Sequence, residues 1–186
     1  MDIKCLGYTP KDIFLSNNAP FDPEIPVFHF RVLGISRLCL QEFVRHTHGV
    51  GISVKSTRFT LQELKKERSF NKKTYNISGA SKYIVFPGQE EFEDPWDMEK
   101  HMCKQVDELE ILRQHIKEGY KRDIAKYLVP ESYKTSLTWT VRFSTLNNFF
   151  KLRIAKDAHF EIRDLAQLIL KRMPSEYIEE LTWKIK

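Results

Sequence analysis

The chain has 186 residues, 41% of them hydrophobic and 30% charged, with a formal net charge of +5 at pH 7. That length is enough for one domain with a buried core, and the ordinary hydrophobic fraction excludes a disordered or fibrous chain. No run approaches the ~18–20 consecutive apolar residues of a membrane span, so no membrane partner is expected. The opening MDIKCLGYT lacks the apolar centre of a secretory leader, and Cys5, Cys39 and Cys103 are odd in number and far apart. Both features fit reduced thiols in the cytoplasm rather than a disulfide framework. Basic residues are mixed with acidic ones and form no dense block, so nucleic acid is not the expected partner. A small anionic ligand explains a local arginine cluster at least as well.

In chain order, residues 1–25 carry Pro10, Asn17, Asn18, Pro20 and Pro23 and read as an irregular arm. Residues 27–32 alternate Phe28, Phe30 and Val32 against His29 and Arg31, the pattern of a half-buried strand, which Gly34 is expected to end. Ser36 is placed to cap a helix reaching about Arg45, with Leu40, Phe43 and Val44 inward and Cys39 as packing. Glu42 and Arg45 share one face of that helix and can pair. The helix then delivers Arg45 and His46 into a loop broken by Gly49 and Gly51, which leads on to Ser56 and Arg58. Two guanidiniums and a hydroxyl flanking a Gly-x-Gly turn suit a phosphorylated ligand, because guanidinium forks match phosphate and glycines let backbone N–H groups approach closely. A solvated surface loop is the alternative. His46-Thr47-His48 lacks a third ligand at metal-binding spacing, so no metal is expected.

Residues 61–71 read as a charged helical stretch, 83–86 as a short strand stopped by Pro87-Gly88, and 90–94 as an exposed acidic turn. Residues 97–118 form a long amphipathic helix with Met98, Met102, Val106, Leu109, Leu112 and Ile116 inward, His101 and His115 outward and Gly119 as its stop. A short helix over 122–129 ends at Pro130. Trp139 to Val141 lead to Arg142 and to Ser144, which can cap a helix through Leu152 that Arg153 ends. On this reading Arg153 can pair with Asp157. Residues 158–173 form a helix with Ile162, Leu165, Ala166 and Ile169 inward, closed by Pro174, and 175–186 a short amphipathic helix.

Three blocks in order, covering roughly residues 26–172, resemble the flavin-dependent thymidylate synthases. The first is I-S-R-x-C-x-x-x-x-V-R-H from Ile35 to His46, followed by S-x-R-F from Ser56 to Phe59. The second is R-D-I-A-K-Y-L-V-P from Arg122 to Pro130. The third is W-T-V-x-x-S-T-L-N-N-F-F-K-L-R from Trp139 to Arg153, with A-H-F-E-I-R from Ala158 to Arg163. The resemblance implies an α+β fold, a mixed domain with several helices packed on a small antiparallel sheet, spanning 1–186. It also implies a homotetramer with sites shared between subunits. The implied reaction is reductive methylation of dUMP to dTMP, with methylenetetrahydrofolate supplying carbon and NADPH reducing FAD.

Residue by residue, the resemblance implies that Arg153 activates the pyrimidine by stabilising negative charge developing at N3, where each pKa unit is worth about 1.4 kcal/mol. It implies nucleotide contacts from Glu42, Arg45, Lys55, Ser56, Thr57, Arg58 and Lys126, and flavin contacts from Arg45, His46, Thr47, Arg142, Ser144 and Asn148. The chain departs from the family pattern in several places. Glu42 and His159 stand where glutamine is usual, Thr47 and Lys126 where arginine is usual, and Val54 where an acidic residue is usual. Arg142 and Ser144 replace an asparagine and an arginine. A carboxylate at Glu42 could accept from a cytosine amino group. These departures keep two further readings open: a dUMP or dCMP hydroxymethylase or methyltransferase of the same fold, with or without flavin, and a non-catalytic nucleotide-binding module.

Overall fold

The computed structural model describes residues 1–13 and 20–182, without the side chains of residues 58 and 59. In chain order its strands and α-helices are β1 (Asp2–Tyr8), β2 (Val27–Ser36), α1 (Arg37–Phe43), β3 (Val50–Val54), α2 (Thr57–Leu64), α3 (Ile77–Ala80), α4 (Pro95–Lys117), α5 (Arg122–Ala125), β4 (Lys134–Arg142), α6 (Phe143–Arg153), α7 (Phe160–Lys171) and α8 (Ser175–Ile178). They fall into two compact units. One comprises Met1–Ile35, Cys39–Val54 and Ser136–Lys186, the other Ser36–Leu38 and Lys55–Thr135.

The first unit is built on a four-stranded sheet ordered β1-β2-β4-β3, in which β1 pairs antiparallel with β2 and β3 antiparallel with β4. The alternation along β2 buries Phe28, Phe30 and Val32 and leaves His29 exposed, as its period requires. On β4, Leu137, Trp139 and Val141 point the same way, into a core completed by Phe143, Leu146, Phe149 and Phe150 of α6 and by Ile162, Leu165, Ala166 and Ile169 of α7. This matches the expected α+β architecture of helices on a small sheet.

Several expectations need correction here. The start of the chain is not irregular: Asp2 to Leu33 and Tyr8 to Phe28 are paired residues of a ladder, and Ile3 is buried. The turn signals of residues 10–23 follow this strand rather than replace it. Of that segment, 14–19 lie outside the described residues. Gly34 does not end β2, which runs through it at φ 74° to Ser36. The helix after it stops at Phe43, so Val44 is exposed rather than inward. The segment after Gly49 is a strand, with Gly51 opposite Thr140 in the β3–β4 ladder, rather than the second arm of a Gly-x-Gly turn. Ser144 does not cap α6. Arg142 holds the cap position, without a side-chain bond. The expected C-terminal helix is limited to α8, and 183–186 lie outside the described residues.

The second unit has its own core. Val106, Leu109, Leu112 and Ile116 of α4 pack with Leu61, Leu64, Phe70, Ala80, Ile84 and Tyr133. Asp94 caps α4 by accepting from the Trp96 N–H, and Gly119 follows its end at φ 91°. Met98 and Met102 are only half-buried, and so is His115, whose ring lies against Tyr120. Residues 83–86 form a single bridge, Ile84 to Tyr133, rather than a strand. The helix expected over 61–71 begins earlier, at Thr57, and stops at Leu64. It stops because the following loop is tied to α4 instead: Glu110 accepts from the Phe70 N–H at 3.0 Å, from Ser69 Oγ at 3.0 Å and from Arg113 at 2.6 and 2.8 Å.

Glu110 and Arg113 are both buried. Burial alone would raise the Glu110 carboxyl, but the bonds from Arg113, Phe70, Ser69 and Gln114 outweigh it and hold the group at about 2. Its stabilising share is therefore complete above the ordinary carboxylate value of 4.5 and is lost as pH falls toward 2. Glu110→Ala strands a buried guanidinium and is expected to destabilise the protein by about 3–5 kcal/mol in urea unfolding, with an acid transition that no longer shows this step.

Candidate active site

The site is assembled in the first unit from the end of α1 and the last turn of α6. Phe43 anchors the α1 end: its ring lies 4.5 Å from that of Trp139 and 5.5 Å from that of Phe149, both edge-to-face. The chain then turns, with the His46 N–H donating to the Phe43 carbonyl at 3.3 Å. This turn sends Arg45 outward, with 70% of its side chain exposed, and His46 inward, where its ring stands edge-on to Phe149 at 5.0 Å.

Arg153 closes the arrangement. Its Nε donates to His46 Nε2 at 3.0 Å, its Nη1 to Glu42 Oε2 at 2.8 Å and its Nη2 to the Glu42 carbonyl at 3.3 Å. Arg45 donates to the other carboxylate oxygen of Glu42 at 3.4 Å. The expected Glu42–Arg45 pair is thus present, but the shorter contact joins Glu42 to Arg153, and Arg153 is held by this clasp rather than by Asp157. His46 can accept at Nε2 only as the neutral imidazole protonated at Nδ1. Burial and the Arg153 charge keep it neutral, pulling its pKa down to about 4.

A cavity of about 620 Å³ opens beside this clasp, and its wall includes Arg45, His46, Thr47, Ser144, Asn148 and Arg153. Six residues expected from sequence therefore share one wall. Glu42 is not among the lining residues. Arg142 turns instead to Glu24, donating to its carbonyl at 3.2 Å and lying 3.6 Å from its carboxylate. The close approach of this side chain explains Gly49, where φ is 58° and an added Cβ would meet Arg142 Cδ at 2.7 Å. Ser144 Oγ is buried without a hydrogen-bond partner.

Glu24, His48, Thr145 and Leu152 also line the cavity and were not anticipated. Only Thr145 carried a usable signal, one turn of α6 ahead of Asn148. Its hydroxyl donates to the His48 carbonyl at 2.6 Å and fixes that loop.

The remaining expected residues belong to the second unit. Lys55 lies 3.9 Å from Glu63, Lys126 lies 3.4 Å from Asp123, Ser56 is exposed and Thr57 begins α2. The Arg58 side chain lies outside the described residues. Among the described residues no cluster of three His, Cys, Asp or Glu side chains could hold a metal. Burial pushes the Cys39 thiol far up, away from the nucleophilic thiolate.

Comparison with known proteins bears on the sequence and the fold. The family model for thymidylate synthase complementing protein matches residues 20–176. A flavin-dependent thymidylate synthase from Campylobacter jejuni (strain RM1221) is 43% identical over 150 residues, 81% of this chain and 67% of that protein. One from Wolinella succinogenes is 42% identical over 151 residues, 81% of this chain and 68% of that protein. Thymidylate synthase X from Helicobacter pylori, solved with FAD and dUMP, matches with a TM-score of 0.81 at 30% identity, covering 98% of this chain and 97% of that one. Fold and sequence together define an α+β thymidylate synthase of the flavin-using kind. The chain belongs to the flavin-dependent thymidylate synthase family.

A buried neutral imidazole gains its proton only at a loss of folding free energy. As pH falls from the ordinary histidine value of 6.5 toward 4, the unfolded chain binds this proton before the folded one, so stability declines over that window. His46→Gln keeps a neutral acceptor and is expected to flatten the decline in thermal melts between these two pH values, while wild type loses stability.

Proposed function

We propose that the protein methylates dUMP to dTMP, using methylenetetrahydrofolate as carbon donor, NADPH as reductant and FAD as cofactor. The observation that carries this reading is Arg153, clasped by Glu42 and His46 in the wall of a polar cavity that also presents Arg45 and Asn148. Among the described residues no helix is long and apolar enough to cross a membrane. We place the reaction in the cytoplasm.

The residues present fit FAD. Ser144 Oγ is a buried polar atom awaiting a partner. Asn148 offers an exposed amide and Arg45 a largely exposed guanidinium on the same wall. Arg45, His46, Thr47, Ser144 and Asn148 would hold the cofactor, with Arg142 engaged by Glu24 of the cavity wall. The redox chemistry of the reaction is what FAD supplies when bound. The chain's own share is to bind phosphate, orient the base and stabilise charge.

Arg153 stabilises the charge that develops at pyrimidine N3, acting from a partly buried position where such charge is little screened. Arg45 supplies a permanent charge suited to a phosphate. Lys55, Ser56, Thr57, Arg58 and Lys126 are proposed as the nucleotide side of a site shared between subunits of a homotetramer, both units of the chain forming one synthase domain over 1–186. A uracil base is favoured over cytosine because the Glu42 carboxylate is engaged by two arginines, one on each oxygen.

The experiment is turnover of dUMP by the purified protein with methylenetetrahydrofolate, NADPH and FAD, read as dTMP by chromatography. Product should require FAD, and Arg153→Ala should lower kcat by about 10²–10³ while FAD binding survives. Turnover that ignores FAD, or that prefers dCMP, contradicts the reading. A tetramer mass in light scattering checks the assembly.

A further inference from the structure

Arginine has five N–H donors. In Arg153, Nε is spent on His46, one Nη1 hydrogen on the Glu42 carboxylate and one Nη2 hydrogen on the Glu42 carbonyl. One hydrogen on each terminal nitrogen is left, and the side chain is 17% exposed, in the cavity wall. The guanidinium is therefore held at three points by one short stretch of chain, 42–46. A free arginine side chain samples many rotamers, and this clasp restricts them before a ligand arrives. Glu42 reaches Arg153 without lining the cavity, so its carboxylate acts through the arginine and not on the ligand.

The same carboxylate has an electrostatic effect. With His46 neutral, the group Arg45–Glu42–Arg153 carries two positive charges and one negative. A glutamine at position 42 would leave the acceptor for Nη1 in place but remove the negative charge. Glutamine and Glu42 thus differ in field at nearly constant geometry. We propose that Glu42 is a positioning residue for Arg153, fixing the direction of its guanidinium and moderating the positive charge presented to the pyrimidine N3. This inference rests on the dUMP-methylating reading above.

The test uses the FAD-loaded full-length protein with Glu42→Gln and Glu42→Ala. Two quantities are measured: kcat and KM for dUMP, and affinity for 5-fluoro-dUMP, whose ring N3–H is more acidic than that of uracil. Affinity is followed from about pH 6 to about pH 9, across the range where neutral and anionic bases separate. Glu42→Gln should tighten 5-fluoro-dUMP about tenfold at the upper end, the equivalent of one pKa unit in the bound base, and shift the pH profile downward. Glu42→Ala should lower kcat about a hundredfold with a smaller change in KM, the mark of a misdirected group.

A side chain that only stabilised the fold would leave the Glu42→Gln pH profile where it is in wild type, and that result overturns the proposal even if Glu42→Ala folds poorly. Wild-type protein that binds FAD but neither dUMP nor its fluoro analogue overturns the functional reading and the proposal together. Normal wild-type binding with an unshifted Glu42→Gln profile overturns the proposal alone.

Discussion

The three-point hold on Arg153 is the contact on which the active-site account depends. It joins residues 107 and 111 positions apart in the chain, His46 and Glu42 on one side and the last turn of α6 on the other. Such a contact is only as rigid as its supports. Here they are aromatic: Phe43, immediately after Glu42, and Phe149, one turn before Arg153, meet each other and Trp139 edge-to-face in a fully buried cluster. Rings in that arrangement add about 0.5–1.5 kcal/mol per pair beyond their buried area. The core of the first unit therefore fixes the angle at which the arginine enters the cavity.

The second unit solves a similar problem with a different device. Its loop 66–71 is not packed by a run of large side chains but is tied to α4 by the buried Glu110–Arg113 pair, with Arg113 Nη1 also donating to the Glu67 carbonyl at 3.3 Å. A fully hydrogen-bonded ion pair of this kind specifies one loop conformation more than it adds stability, because desolvation offsets much of the attraction. Both units thus use an arginine with every nitrogen engaged to fix a loop, one at a framework position and one in the wall of a cavity.

Much of the fold could be read from residue order. The period-two pattern of Phe28, Phe30 and Val32 and the helical stripes of α4 and α7 are strong, and each emerged with those residues buried, apart from Met98 and Met102 near the start of α4. The motif residues Arg45, His46, Asn148 and Arg153 share a cavity wall, a grouping that only the family resemblance implied. What escaped reading has a physical reason in each case. Strand β1 has a weak alternation, interrupted where the ladder shifts between Cys5 and Gly7, and the turn residues after it dominate the local composition. Strand β3 carries Gly51 directly after the turn glycine Gly49, a pair that looks like a loop. Only the β4 partner, ~90 residues away along the sequence, makes Gly51 a ladder residue. The choice of Glu42 between Arg45 and Arg153 is a tertiary fact that no local pattern contains, and the pair Glu110–Arg113 reads as an ordinary solvated i, i+3 couple until its burial is seen.

Glu42 is balanced by two guanidiniums, one on each carboxylate oxygen. Arg142 is directed to Glu24 and packs against Gly49, which leaves the cavity wall to smaller residues such as Thr47 and Ser144. The central claim is that Arg153 meets the pyrimidine beside the flavin. It is tested most directly by the flavin difference spectrum of FAD-loaded protein titrated with dUMP, in wild type and in Arg153→Lys. Lysine keeps the charge but cannot make the three simultaneous contacts, so the account predicts a saturable spectral change in wild type and a midpoint at least about tenfold weaker in the variant. Identical midpoints in the two proteins would contradict it.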